Sequence, residues 1–158
     1  MRKIIALLFL LGILFVSSGQ TYEQQSIVPV LEKWLPSMPL ESLLSKLQVP
    51  YWGITVSIEE RGYYYFIEFL IRKSAHFFIF AFVALAIHAV LPKIKYRILI
   101  AAFGTLIVAT LDEYHQFLTG GRTPSSQDVV LDMMGAVTAL VILNFARLIN
   151  QKRMRKIR

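Results

Sequence analysis

Asp112 to Gly135 reads DEYHQFLTGGRTPSSQDVVLDMMG and separates two apolar runs, Ile98 to Leu111 and Met133 to Ala146, neither of which holds a charged residue. Polar residues at the ends of membrane-length segments are ordinary. A group as dense as Asp112, Glu113, His115, Gln116, Arg122, Asp128 and Asp132 is not, because ionisable side chains at membrane depth are costly and tend to be tied to function. Two crossings joined by this polar link decide the fold class, and the rest of the chain agrees.

Working outward, 56% of the 158 residues are hydrophobic and the mean hydropathy is +0.56, too apolar for an ordinary soluble domain. A hydrocarbon layer of about 30 Å takes roughly 20 apolar helical residues. Ala75 to Leu91, Ile98 to about Phe117 and Val129 to Ile149 meet that requirement, and Ile4 to Val16 is a shorter candidate. The expectation is an all-α, polytopic bundle of four transmembrane helices in a single domain spanning 1–158. The helices are expected over about 4–19, 66–91, 96–117 and 124–149, with an external segment over 20–65 and a basic tail over 150–158. The first run also fits a cleavable signal, with Arg2 and Lys3 before an apolar core and Ser17-Ser18-Gly19 after it. There is no cysteine, which removes disulfides, thiolate nucleophiles and Cys-bound metals.

Charge sets the orientation. Arg2 and Lys3, the Lys93–Lys95–Arg97 loop and the tail from Lys152 to Arg158 carry ten of the seventeen basic residues and no acid. By the positive-inside rule these segments are cytoplasmic. Both termini are then inside, and 20–74 and 116–127 are outside. The net charge of +7 reads as orientation and attraction to anionic lipids. A basic tail directly after a membrane helix argues against a nucleic-acid partner.

In the external segment, Leu40, Leu43, Leu44 and Leu47 recur at helical spacing, bounded by Pro39 and Pro50, and predict a short amphipathic helix. Ile54, Val56 and Ile58 alternate as in a short strand. Tyr63 to Phe66 form an aromatic cluster of the headgroup-level kind.

Depth follows from chain direction. Arg72, Lys73 and His76 lie at the outer end of the second helix and share one face. Asp112 lies 15 residues beyond Arg97, about 22 Å up the third helix, and shares a face with Gln116. The fourth helix is expected to start either with Thr123-Pro124 or with Ser125 as its cap and Asp128 three residues on. Asp128 and Asp132 then share a face. Arg72, Lys73, His76, Asp112, Glu113, His115, Gln116, Arg122, Asp128 and Asp132 thus converge at one depth and form the candidate binding set, with His76, Asp112 and Glu113 as the candidates for proton transfer. Simpler roles exist for each: Asp128 complements a helix dipole, Arg72 and Lys73 snorkel, and the whole set is a network that holds the bundle together. His88 lies at the other end, away from the group.

Lys73-Ser74-Ala75-His76, Asp112-Glu113-x-His115-Gln116, Gly121-Arg122, Ser126-x-Asp128-Val129 and Asp132-x-x-Gly135 together resemble the VanZ-like family of small bacterial membrane proteins, as does the Ser17-Ser18 pair. That family is named for low-level resistance to teicoplanin, and members are associated with tolerance to lipoglycopeptides. The resemblance implies four retained helices in the bacterial plasma membrane and a role in the cell envelope, but no catalytic roles. Two functions follow. One is a non-enzymatic protein whose outer pocket binds an amphiphile or anionic headgroup, such as a lipoglycopeptide or lipid-linked cell-wall precursor. There Arg72, Lys73 and Arg122 would meet phosphate or carboxylate, and Asp112 and Asp132 would hold those cations. The other is an intramembrane enzyme on a lipid-linked or phosphorylated substrate, with His76 as acid or base oriented by Asp112 or Glu113. Ser74, Ser125 and Ser126 are its only evident nucleophiles, and HExxH, GxSxG and Walker motifs are absent. No cofactor is expected, and no residues have metal-ligand spacing. An ion-coupled transporter fits less well, because the polar groups sit at one face and not near the midplane.

Overall fold

A computed structural model describes residues 1–51, 53–120 and 125–157. The elements are α1 (Arg2–Ser18), α2 (Val28–Trp34), α3 (Glu41–Leu44), β1 (Val49–Tyr51), β2 (Ile54–Val56), α4 (Ile58–Arg61), α5 (Tyr63–Val90), α6 (Arg97–Gly120) and α7 (Ser126–Ile157). Among the described residues three helices, α5, α6 and α7, are long and apolar enough to cross a membrane. Helix α1 has 17 residues, about 25 Å at the α-helical rise, the lower limit for a crossing. Of four expected crossings, three therefore meet the requirement outright.

Helix α5 is the centre of the bundle and packs on α1, α6 and α7. One core joins Leu14, Phe80, Val83 and Ala109; a second joins Ala84, Ala101, Ala136 and Leu140. The alanines permit close helix approach, as small residues do between membrane helices. Closest of all is Gly135 of α7 on α5, where an added Cβ would overlap the carbonyl of Phe77. Large apolar side chains such as Phe78, Phe103, Ile142 and Phe145 face outward, a surface suited to an apolar solvent and not to water.

The segment between α1 and α5 packs over one end of this bundle. Its amphipathic helix is a single turn, Glu41–Leu44, shorter than the leucine spacing predicts. Pro39 and the left-handed Leu40 (φ 63) fix its start, and the chain must be extended again by Val49 to pair with β2. The predicted strand appears as β2, in register Val49↔Val56 and Tyr51↔Ile54; Ile58 instead opens α4, capped by the Ser57 hydroxyl, which accepts from the Glu60 N–H at 3.3 Å. The aromatic cluster ties the segment down, because Tyr63 donates to the Pro39 carbonyl at 2.8 Å and Tyr64 to the Leu35 carbonyl at 3.2 Å. Helix α5 thus starts at Tyr63, before the expected 66, so Arg72, Lys73 and His76 sit well inside a helix. Helix α7 runs on through the expected basic tail to Ile157.

Candidate functional site

Two ion pairs and one histidine–carboxylate contact are stacked along α5. Arg72 Nη2 donates to Glu68 Oε1 at 2.8 Å, the i,i+4 spacing of one helix face. Lys73 pairs with Asp128 of α7. His76 Nδ1 lies 3.5 Å from Asp132 Oδ1, outside hydrogen-bonding geometry. Helices α5 and α7 run parallel here, so Lys73–Asp128, His76–Asp132 and the Phe77–Gly135 contact follow one another down the interface.

Each carboxylate has a reason to be where it is. Glu68 is fully buried and accepts from Arg72, from the Ile27 N–H at 3.0 Å, and from Tyr22 and Ser26 at 3.3 Å each. It clamps the chain leaving α1 onto α5. Asp128 accepts from Lys73 and from the Tyr51 phenol, while its N–H donates to Ser125 Oγ at 3.0 Å. Ser125 is therefore the cap of α7, and Thr123 and Pro124, the other possible start, lie outside the described residues. In place of a reciprocal capping box, the Ser125 N–H donates to Glu113 Oε2 at 2.8 Å, which buries Glu113 against the α7 start. Asp112 accepts from Gln116 Nε2 at 2.8 Å, one turn along α6.

Two aromatic rings cover the cations. The Arg72 guanidinium lies 4.4 Å from the Tyr22 ring centre and Lys73 Nζ 4.4 Å from that of Tyr51, both within cation–π range. Lys73 also donates to the Tyr51 hydroxyl at 2.6 Å. Burial, reinforced by the hydrogen bond to Asp128, pushes the Tyr51 phenol well above its usual value and keeps it a donor. Burial and the Glu68 charge push Tyr22 up in the same way.

These groups surround a cavity of about 200 Å³, lined by Tyr22, Gln25, Tyr51, Arg61, Phe69, Arg72, Lys73, His76, Glu113, Gln116 and Asp128. A smaller one of about 100 Å³ shares Gln25, Arg72, His76 and Gln116 with it and reaches Ser17, Ser18 and Asp112. Of the ten sequence candidates, Arg72, Lys73, His76, Glu113, Gln116 and Asp128 line the larger space, and Asp112 lines the smaller. Asp132 is fully buried behind His76. His115 faces elsewhere: it stacks on Phe15 at 4.5 Å and its Nδ1 lies 2.7 Å from Ser18 Oγ. That hydroxyl also donates to the Leu14 carbonyl at 2.8 Å, and the contact ties α1 to α6. Arg122 lies outside the described residues.

Two expected pairings are corrected. The carboxylates that hold Arg72 and Lys73 are Glu68 and Asp128, not Asp112 and Asp132, because Asp128 enters α7 at the level of Lys73 and Asp132 lies one turn further in. The carboxylate beside the His76 imidazole is Asp132, not Asp112 or Glu113. Glu68 carries a sequence signal, its i,i+4 spacing to Arg72; Tyr22, Gln25 and Tyr51 come from the long connection and carry none.

Chemically, the cavity offers fixed cations beneath aromatic rings, with unspent hydrogen-bonding capacity at its floor. Among the described residues, Arg72 Nε, His76 Nδ1 and both Asp132 oxygens have no hydrogen-bond partner. Among the same residues, no group of three or more His, Asp or Glu is arranged to hold a metal ion.

A family model described as VanZ/LLP1 matches residues 3–147. No curated protein and no solved structure gives a match to the chain.

Proposed function

We propose, since the chain belongs to the VanZ/LLP1 family, that it is a multi-pass protein of the bacterial plasma membrane whose polar cavity binds the anionic group of an amphiphile at the outer leaflet. Family membership supports a VanZ-type, resistance-associated membrane protein at the family level; the ligand, the cavity's role and the orientation are our reading. Helix α1 is its fourth crossing, retained and not cleaved, which the burial of Leu14 in the bundle core supports. So do the ties of Ser17 to Gln25 and of Ser18 to His115 and Thr119. Both termini are cytoplasmic, on the strength of the basic residues gathered at the end opposite the cavity.

The observation that carries the binding reading is the pair Arg72 and Lys73. Both line the cavity, both are held from behind by buried or half-buried carboxylates, and both are roofed by tyrosine rings. A cation fixed in this way loses little freedom when an anion arrives. Arg72 already donates to Gln25 Oε1 at 2.7 Å, to the Tyr22 carbonyl at 3.2 Å and to Glu68, so it acts on an anion through its charge and its remaining Nη1 hydrogen. An acyl-bearing ligand leaves its chain among the outward apolar faces of the helices. Lipoglycopeptides such as teicoplanin and lipid-linked wall precursors both have this build. Titration of the purified protein with teicoplanin and with a short-chain phosphatidic acid tests the reading. Arg72→Gln and Lys73→Gln should each weaken binding by about tenfold, the value of one charge-assisted hydrogen bond, while His76→Gln should change it little.

A second reading rests on a different observation. Asp132 is fully buried with His76 beside it, a couple that can pass a proton to a ligand in the cavity. An enzyme acting on a phosphorylated or lipid-linked envelope substrate would use His76 as its acid or base. In that case His76→Gln and Asp132→Asn abolish function and leave binding intact.

A further inference from the structure

The opposite end of the bundle holds a separate polar site that the proposed function does not use. No Asp or Glu occurs in 1–22, 69–111 or 133–158, so the end where α1 begins and α5 hands over to α6 is free of acid. There Arg2, Lys3, Lys93 and Arg97 line a groove of about 560 Å³, together with Val90 and Leu91. Arg97 is held in place: its Nε donates to the His88 carbonyl at 2.6 Å and its Nη2 to the Ala89 carbonyl at 3.2 Å, completing the last turn of α5. Arg147 of α7 joins the same turn, with Nη1 at 3.0 Å from His88 Nε2. A guanidinium only donates, so the ring nitrogen accepts, and the two arginines meet at one residue, Arg97 at the His88 carbonyl and Arg147 at its buried ring, with no carboxylate between them. Among the described residues none of these cations has an acidic partner.

We infer that this groove is a binding site for the phosphodiester of an anionic phospholipid. Arg97 is the preset element, with part of its donor fork still uncommitted, and Arg2, Lys3 and Lys93 are mobile arms that close on the phosphate. The groove is not purely cationic. Val90 is 37% exposed and, with Leu91, continues into the outward apolar face of α5, where acyl chains would lie. This mixture favours an amphiphile over a soluble phosphate. Scattered surface charge would draw any anionic membrane by about fivefold per residue, whereas a built site depends on which residues are neutralised.

The test is lipid retention by the full chain purified in neutral detergent, read by native mass spectrometry against mixtures of phosphatidylglycerol and phosphatidylcholine. We expect at least about tenfold preference for phosphatidylglycerol, lost in Arg2→Gln/Lys3→Gln/Lys93→Gln and kept in Lys152→Gln/Arg153→Gln/Arg155→Gln, which removes the same charge from the end of α7. Lys93→Gln alone should give an intermediate loss and leaves the test standing if the triple variant folds poorly. Glycerol phosphate at millimolar concentration should not displace the lipid. Equal losses in the two triple variants, no preference between the lipids, or displacement by glycerol phosphate would each overturn the inference.

Discussion

Lys73 of α5 pairs with Asp128 of α7 directly beneath the Tyr51 ring, and one turn further along the same interface His76 faces Asp132. These two rungs make the polar site and the α5–α7 packing one structure. Changes to the site therefore divide into those that act on the fold and those that act on the ligand.

The Lys73–Asp128 rung should show coupling. Its side chains are 24% and 19% exposed, so each single change, Lys73→Met or Asp128→Asn, should cost about 1–2 kcal/mol, less than for a fully buried pair. The double variant should cost less than the sum of the two singles. Equilibrium unfolding in mixed detergent measures the cycle, and strict additivity would show that the pair contributes nothing jointly.

Glu68 anchors the long connection. Glu68→Gln keeps the shape but removes the charge from four accepted hydrogen bonds, the one from Arg72 among them, a loss of about 2–3 kcal/mol. The connection between α1 and α5 should loosen first. Limited proteolysis should cut within 20–62 much faster than in the wild type, with the helices still resistant; an unchanged cleavage rate would contradict the clamp.

Gly135→Ala should be among the most damaging changes in the chain. The added Cβ meets backbone, which cannot rotate away, so the two helices must separate at a cost of about 3 kcal/mol. Gly104→Ala, where the nearest atoms are side-chain carbons of Ile87 at 3.6 Å, should be near neutral. The ratio of the two variants' membrane levels at matched expression reads the contrast.

Alkaline pH should destabilise the protein through Tyr51. Its phenol is raised in the folded state, so above about pH 10 the unfolded chain loses its proton first. Stability should then fall with a slope of about 1.4 kcal/mol per pH unit for this group until the folded phenol also ionises. Tyr22 is raised too. Tyr51→Phe should flatten the slope between pH 10 and 11 without removing it. An unchanged slope would mean that Tyr51 does not hold its proton in the folded state.

Much of this site was readable from sequence because charge-free runs are rulers. Counting along α6 from Arg97 places Asp112 and Gln116 at one end, and the direction of the neighbouring helices brings Lys73, His76, Asp128 and Asp132 to the same depth. Which residue meets which was not readable, since it depends on the rotation of each helix. Asp128 and Asp132 are one turn apart, and only the parallel register of α5 and α7 decides that the first meets Lys73 and the second His76. His115 shows the same limit: it is one residue from Gln116 at the right depth, yet it points to α1. Tyr51 reaches the cavity through a hairpin that follows two prolines and a one-turn helix, and no periodicity in 20–62 foretells that path.

Arg72 and Lys73 are proposed to act on an anionic ligand and not only on the fold. Teicoplanin susceptibility separates the two roles, in cells expressing the wild type, Arg72→Gln, Lys73→Gln and His76→Gln, each at membrane levels matched by immunoblot. Protection is expected from the wild type, with most of it lost in the Arg72 and Lys73 variants and kept in His76→Gln. Full protection by well-expressed Arg72→Gln and Lys73→Gln proteins would rule out a ligand-binding role for the two cations.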